Sequence, residues 1–247
     1  MWSELPKPIA LWDFREVSPL QAQQGDYTLL PMSDAMDFSD VGLYLRRGGW
    51  LRVPRASIGD LDIHGRDARL TVVAHVYRMK QPETYDCETI AGVWDESRRQ
   101  RQYCLFLDLP IWDSANQVGG HVSSHGGPTP GYPYCMDAAI GETPVDWQQW
   151  AVVGFTYDGE QACAYLDGKL DMRGDRNPFA YPEGLHDGGV DGADFTVGGV
   201  SRSGEPGNFF HGVISALAVF GTALSADEMA TLSASWHERD TAVGSLN

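Results

Sequence analysis

The chain has 247 residues, a length at which an all-β sandwich commonly stays a single domain. Its 18 Lys and Arg against 34 Asp and Glu leave a formal net charge of −16, which argues against nucleic-acid binding and weakens the case for an anionic polysaccharide unless arginines cluster locally. The apolar fraction of 43% with eight Trp is enough for a core, Gly 28 and Pro 14 suit many turns between short strands, and no apolar run of about 18 residues is present to span a membrane.

Ile9–Phe14 reads as a first strand. Residues 15–40 are polar and broken by Pro19, Gly25 and Pro31, so they read as loop with a short strand near Tyr27–Leu30. Asp34, Asp37 and Asp40 fall in it and read as solvated loop residues, with a metal site as the alternative. Gly42–Leu45 and Trp50–Val53 read as a strand pair around Arg46–Gly49. Arg69–Arg78 alternates, with Leu70, Val72, Ala74 and Val76 on one face and Thr71, Val73, His75 and Tyr77 on the other. If the first face is core, His75 and Tyr77 point to the opposite side of that sheet. Glu88–Asp95 and Gln102–Asp108 form the next pair, joined by the polar turn Glu96–Arg101. Arg98, Arg99 and Arg101 make that turn a local basic cluster.

Residues 110–146 read as a long inserted loop. At its centre, Gly119–Cys135 carries two His, two Ser and two Tyr among Gly and Pro. A loop of that length is either functional or disordered, and its Pro and Tyr favour order. Trp147–Gly168 then reads as two strands, its first arm alternating through Trp150–Phe155. Tyr157-Asp158-Gly159-Glu160 supplies the turn, and the second arm, Ala162–Leu166, ends at a second turn signal, Asp167-Gly168, because Asp-Gly accepts the positive φ of a tight hairpin. Residues 169–193 read as a second inserted loop. Phe209–Phe220 reads as one or two strands. Ser225 with Glu228 three residues on is a capping box for a short helix from Ala226 to about Ser235 or Trp236.

The Trp followed by T-Y-D-G and Y-L-D-G resembles the laminin G-like jelly rolls of the concanavalin A-like lectin/glucanase superfamily. The resemblance continues at Asp194–Gly199, at Phe209–Gly212, and at Val219–Glu228, where a helix opens on LSADE. It covers the last hundred residues well and the first half more loosely. It implies one all-β domain over residues 1–247: a two-sheet antiparallel jelly-roll sandwich with one short C-terminal helix. The core would run from about 7 to 238, with the long loops at 110–146 and 169–193 rimming a groove. It says little about chemistry, since the architecture hosts lectins, hydrolases, lyases and adhesion modules.

The leading expectation is carbohydrate recognition, with a glycan or polysaccharide as partner. Aromatic rings stack on sugar faces while polar side chains bind hydroxyls. His75, Tyr77, Trp112, Tyr181, Asn208 and His211 are the candidates for that role. The alternative is a polysaccharide-cleaving enzyme. A β-eliminating lyase would take His121 or His125 as base, Tyr132 or Tyr134 as acid, and Arg99 or Arg101 to neutralise a uronate carboxylate. The spacing of His121 and His125 would suit a helical metal site, but the flanking glycines exclude a helix there. A hydrolase needs two carboxylates; Asp95, Glu96 and Asp137 are available, but no E-x-D-x-E type motif is present. A protein-interaction module is a third possibility.

Asp187, Asp191 and Asp194, spaced among glycines, are candidates for a structural Ca²⁺, though the spacing does not match an EF-hand loop. No organic cofactor is expected. Cys87, Cys104, Cys135 and Cys163 have no C-x-x-C spacing, which argues against zinc. Cys87 and Cys104 are the pair that neighbouring strands could bridge, and reduced thiols are the expectation. The N-terminal residues lack the basic and apolar blocks of a signal peptide, which fits a cytoplasmic protein or a trimmed secreted one.

Overall fold

In a computed structural model, residues 5–80 and 86–240 are described. The strands in chain order are β1 (Ala10–Asp13), β2 (Leu30–Pro31), β3 (Met36–Ser39), β4 (Gly42–Leu45), β5 (Leu51–Val53), β6 (Leu70–Arg78), β7 (Glu88–Asp95), β8 (Gln100–Leu107), β9 (Gln117–Gly126), β10 (Ala138–Pro144), β11 (Trp150–Tyr157), β12 (Gln161–Leu166), β13 (Lys169–Leu170), β14 (Phe179–Ala180), β15 (Phe195–Val197), β16 (Val200–Arg202), β17 (Glu205–Gly207) and β18 (Gly212–Phe220). One helix, α1 (Ala226–Asp240), follows.

The strands form two sheets. The first runs β13-β12-β11-β6-β18-β4-β3, with β1 added on β18. The second runs β10-β9-β8-β7-β15-β5-β2, with the β16–β17 hairpin beside β7. Apart from a single parallel contact of β16 with β7, the strand pairings are antiparallel. The inner faces meet in one core. Leu70, Val72, Ala74 and Val76 of β6, with Val153 and Phe155 of β11, face Tyr103, Leu105 and Leu107 of β8 and Val118 and Val122 of β9. This is the jelly-roll sandwich that alternation along short segments demands.

The other face of the first sheet is not a groove. Val73, Val152, Ala216 and Ala218 pack there under Met229, Leu232 and Trp236 of α1. The helix opens as expected: Ser225 N donates to Glu228 Oε2 at 2.7 Å, and Glu228 N donates to Ser225 Oγ at 3.3 Å. It runs to Asp240, a turn further than its sequence predicts.

Two expectations need correction. Gly42–Leu45 and Leu51–Val53 do not pair with each other. β4 pairs with β3 and β18, and β5 with β15 and β2, so the chain changes sheets between them. Residues 110–146 are not one loop either, because Gln117–Gly126 and Ala138–Pro144 are full strands at the edge of the second sheet. Gly119 and Gly120 sit there because neighbours fill the space of a side chain: a Cβ at Gly119 would overlap Leu109, and one at Gly120 the Phe155 ring. Residues 169–193 do remain mostly irregular.

Arg78, at the end of β6, anchors the segment that follows. It is fully buried, and its Nε donates to Glu88 Oε2 at 2.7 Å. Nη1 donates to Asn116 Oδ1 at 2.9 Å, and the guanidinium lies 3.5 Å from the Trp147 ring centre. Both ends of the β9–β10 hairpin are thus tied to one cation.

Candidate functional site

The outer face of the second sheet is the exposed concavity. Four residues in register build its floor: Gly92 on β7 opposes Cys104 on β8, which opposes His121 on β9, which opposes Ala138 on β10. Small residues in that row leave a depression, and larger ones on the same face, Trp94 and Phe106, wall it. The His121 ring lies 5.0 Å from Trp94 and 5.5 Å from Phe106.

Above this floor is a cavity of about 300 Å³. Leu109, Pro110 and Ile111 close one side, and Tyr134, 58% exposed, stands at the mouth. The opposite side is polar. Asn208 Nδ2 donates to Glu96 Oε1 at 3.2 Å, and Arg202 Nη1 donates to Asn208 Oδ1 at 2.9 Å. Arg202 also pairs with Asp86. Arg101 completes the arc, with Nη2 3.9 Å from Glu96 Oε2, Nη1 donating to Gly126 O at 3.1 Å, and its guanidinium 5.8 Å from the Trp94 ring centre.

Arg101 reaches this face through irregular strand pairing. Strict alternation from Tyr103, which points into the core, would turn Arg101 inward as well. Register shifts between Arg101 and Tyr103 on the β9 side, and between Val93 and Trp94 on the β7 side, re-aim it.

His121 is enclosed. Its Nδ1 is 3.1 Å from the Asp137 carbonyl oxygen, so this nitrogen carries the proton. Burial, aided by the Arg101 charge, pulls its pKa down to about 4. The imidazole is therefore neutral at pH 7. Burial likewise pushes the Cys135 thiol up to about 12. All four cysteines are free.

The cavity gathers Arg101, His121, Tyr134 and Asn208 of the candidate site residues, with Glu96 of the candidate carboxylates. The others lie elsewhere. His125 is exposed, its Nδ1 accepting from Gly127 N. Tyr132 packs edge-on against Trp112, whose indole Nε1 donates to Met136 O and carries Arg176 4.2 Å from its ring centre. Arg99 is at an exposed hairpin tip. Tyr181 is buried, its hydroxyl accepting from Ser124 N at 2.8 Å. His211 lies by Tyr44, 3.3 Å from its hydroxyl. On the helix-covered side His75 stacks on Trp150 and Tyr77 lies tilted against it, and His75 Nδ1 is 2.7 Å from Ser215 Oγ. Their strand face was legible; which sheet was left open was not.

The three aspartates are engaged by separate partners. Asp194 accepts from Arg52 Nη1 and the Arg55 amide, and Asp187 caps Gly189 N. Asp191 is in a short 3₁₀ turn where its carbonyl accepts from Arg98. Among the described residues no three His, Cys, Asp or Glu converge on a common point. Trp94, Phe106 and Arg202 had drawn no notice in the sequence. The period-2 pattern of β7 and β8 could have placed the two aromatic residues on one face; nothing local marks Arg202.

A laminin G-type family profile, described as the concanavalin A-like lectin/glucanases superfamily, matches residues 63–230. The chain belongs to this family. No curated protein matches the concanavalin A-like chain at the level of sequence. Its fold is similar to domain 4 of AbnA, an extracellular arabinanase from Geobacillus stearothermophilus solved with arabinotriose (18% identity, TM-score 0.60, 92% of this chain and 98% of that one). It is also similar to a mutant Trypanosoma rangeli sialidase with trans-sialidase activity (16% identity, TM-score 0.60), covering 94% of this chain but 33% of that one. The receptor-binding domain of a botulinum neurotoxin C/D mosaic serotype shares the fold at 10% identity and a TM-score of 0.59, over 93% of this chain and 51% of that one. As a concanavalin A-like domain the chain spans only a third of that sialidase.

Proposed function

We propose that the chain is a carbohydrate-binding jelly roll that seats sugar rings of a glycan in the groove on the outer face of its second sheet. The observation that carries this is the cavity itself. Aromatic walls of Trp94 and Phe106 stand with an arc of donors and acceptors formed by Arg101, Glu96, Asn208 and Arg202, and Tyr134 is free to stack at the mouth. Apolar ring faces and hydroxyl-binding edges are what a pyranose or furanose offers. The arabinanase domain matched over nearly its whole length was captured with an oligosaccharide, which supports the same class of ligand.

Cleavage is supported less well. His121, Tyr134 and Arg101 share the cavity, as a lyase would require. An imidazole with a pKa of about 4 is a weak base at neutral pH, however, and His125 and Tyr132 lie outside. For hydrolysis, Glu96 is the one carboxylate among the described lining residues, where a pair is needed.

A glycan array followed by calorimetry tests the proposal. Tyr134→Ala should weaken the best ligand by roughly 3- to 10-fold, the range expected for one lost ring contact, with the melting temperature unchanged. Absence of binding to any neutral or acidic glycan would refute it. Unsaturated product appearing in an ultraviolet assay on the same ligands would replace binding with elimination.

A further inference from the structure

We infer that the glycan seated in this groove carries a carboxylate, as a uronic-acid residue does, and that Arg101 binds that group. This rests on the glycan-binding reading and narrows it to a substrate class.

The charges along the polar arc do not balance. Arg47 lies 3.7 Å from Asp86, Arg202 pairs with Asp86, and Asn208 links Arg202 to Glu96. Among the described residues, and with Arg101, the network holds the cations Arg47, Arg202 and Arg101 against the carboxylates Asp86 and Glu96. The surplus sits at the Arg101 end. Glu96 is 3.9 Å away from Arg101, beyond hydrogen-bond range. Of the Arg101 N–H groups, one on Nη1 reaches the Gly126 carbonyl, and the buried Nε has no hydrogen-bond partner among the described residues.

Arg101 is 5% exposed, so water does little to screen it. A buried guanidinium whose nearest carboxylate, Glu96, is 3.9 Å away keeps hydrogen-bonding capacity unused, and a carboxylate entering the cavity takes it up through charge-assisted bonds. The charge is felt across the cavity floor: Arg101 is the charged group acting on His121, secondary to burial, and it also acts on Cys135. The molecule as a whole is acidic, but surface charges beyond about 8 Å are screened at physiological salt, so contact chemistry in the groove decides. A hydroxyl in the same place would accept weaker, neutral bonds.

Calorimetry at low salt with oligomers of galacturonate, mannuronate and glucuronate, each beside its carboxyl-reduced neutral counterpart, tests this. At least one acidic oligomer should bind about tenfold more tightly than its reduced twin, since bonds to charged groups are roughly twice as strong as neutral ones. Arg101→Gln should bring the pair to within about twofold of each other, and Arg101→Lys should keep part of the gap, because charge without the planar fork remains. If Arg101→Gln fails to fold, salt titration of the wild-type chain serves instead: affinity for the acid should fall with salt while that for the neutral twin holds. Equal or tighter binding of the reduced oligomers, or a salt-independent preference, overturns the carboxylate assignment and leaves glycan binding standing. Binding of neither form, with arabino-oligosaccharides also silent, overturns both.

Discussion

At the residue scale the groove depends on keeping His121 neutral. Its pKa of about 4 lies below the ordinary value of 6.5, with burial as the main cause. Between those two values the unfolded chain binds a proton that the folded chain refuses. Stability therefore declines as pH drops from about 6.5 towards 4, by up to about 3 kcal/mol from this group, and levels off below that window. Replacing His121 with Gln keeps a donor for the Asp137 carbonyl and removes the titration. The urea midpoints of His121→Gln at pH 7 and pH 4.5 should then lie closer together than those of the parent chain. An unchanged difference would mean that the imidazole is not the group responsible. Arg101 shows the complementary case, a side chain whose identity is plain in the sequence but whose direction is set by register shifts on both sides of β8.

At the element scale the instructive case is β9. Glycine-rich sequence with Ser and Pro reads as loop, because glycine is entropically costly in a strand. Here Gly119 and Gly120 are required by packing on both faces, Leu109 on one and Phe155 on the other. The strand gains from its neighbours what its own propensity withholds. A substitution that raises β-propensity should consequently harm it. Gly120→Val should lower stability by about 1–3 kcal/mol through overpacking against Phe155. Thermal denaturation measures this, and a stabilised variant would contradict the packing account. Alternation in β6, β7, β8 and β11 was legible because each has one face in the common core and chain-local turns at its ends. The pairing of β4 and β5 was misread because short apolar segments joined by a turn look alike whether they pair or part to opposite sheets.

At the scale of the molecule, α1 covers the outer face of the first sheet, and the outer face of the second carries the cavity. The same enclosure governs the thiols. Burial raises the pKa of Cys87 and Cys104, that of Cys163 to about 11 and that of Cys135 to about 12. Thiols held so far from ionisation are poor nucleophiles. Iodoacetamide at pH 8 should leave the folded protein almost unlabelled and modify all four cysteines in urea, and a reductant should leave the melting temperature unchanged. Rapid native labelling, or a reductant-sensitive transition, would show that the interior is open or oxidised.

By itself the sequence determined the class of fold, because alternation and Asp-Gly turns are local and each states its own geometry. It also contained several of the groove residues, marked by chemistry that is uncommon in a plain structural strand. Which sheet face stays open, which strands lie side by side, and where Arg101 points were decided only by the tertiary structure. Those are relations between segments far apart in the chain. They follow from how one sheet is covered by a helix and how another bulges, and no short window of residues encodes either.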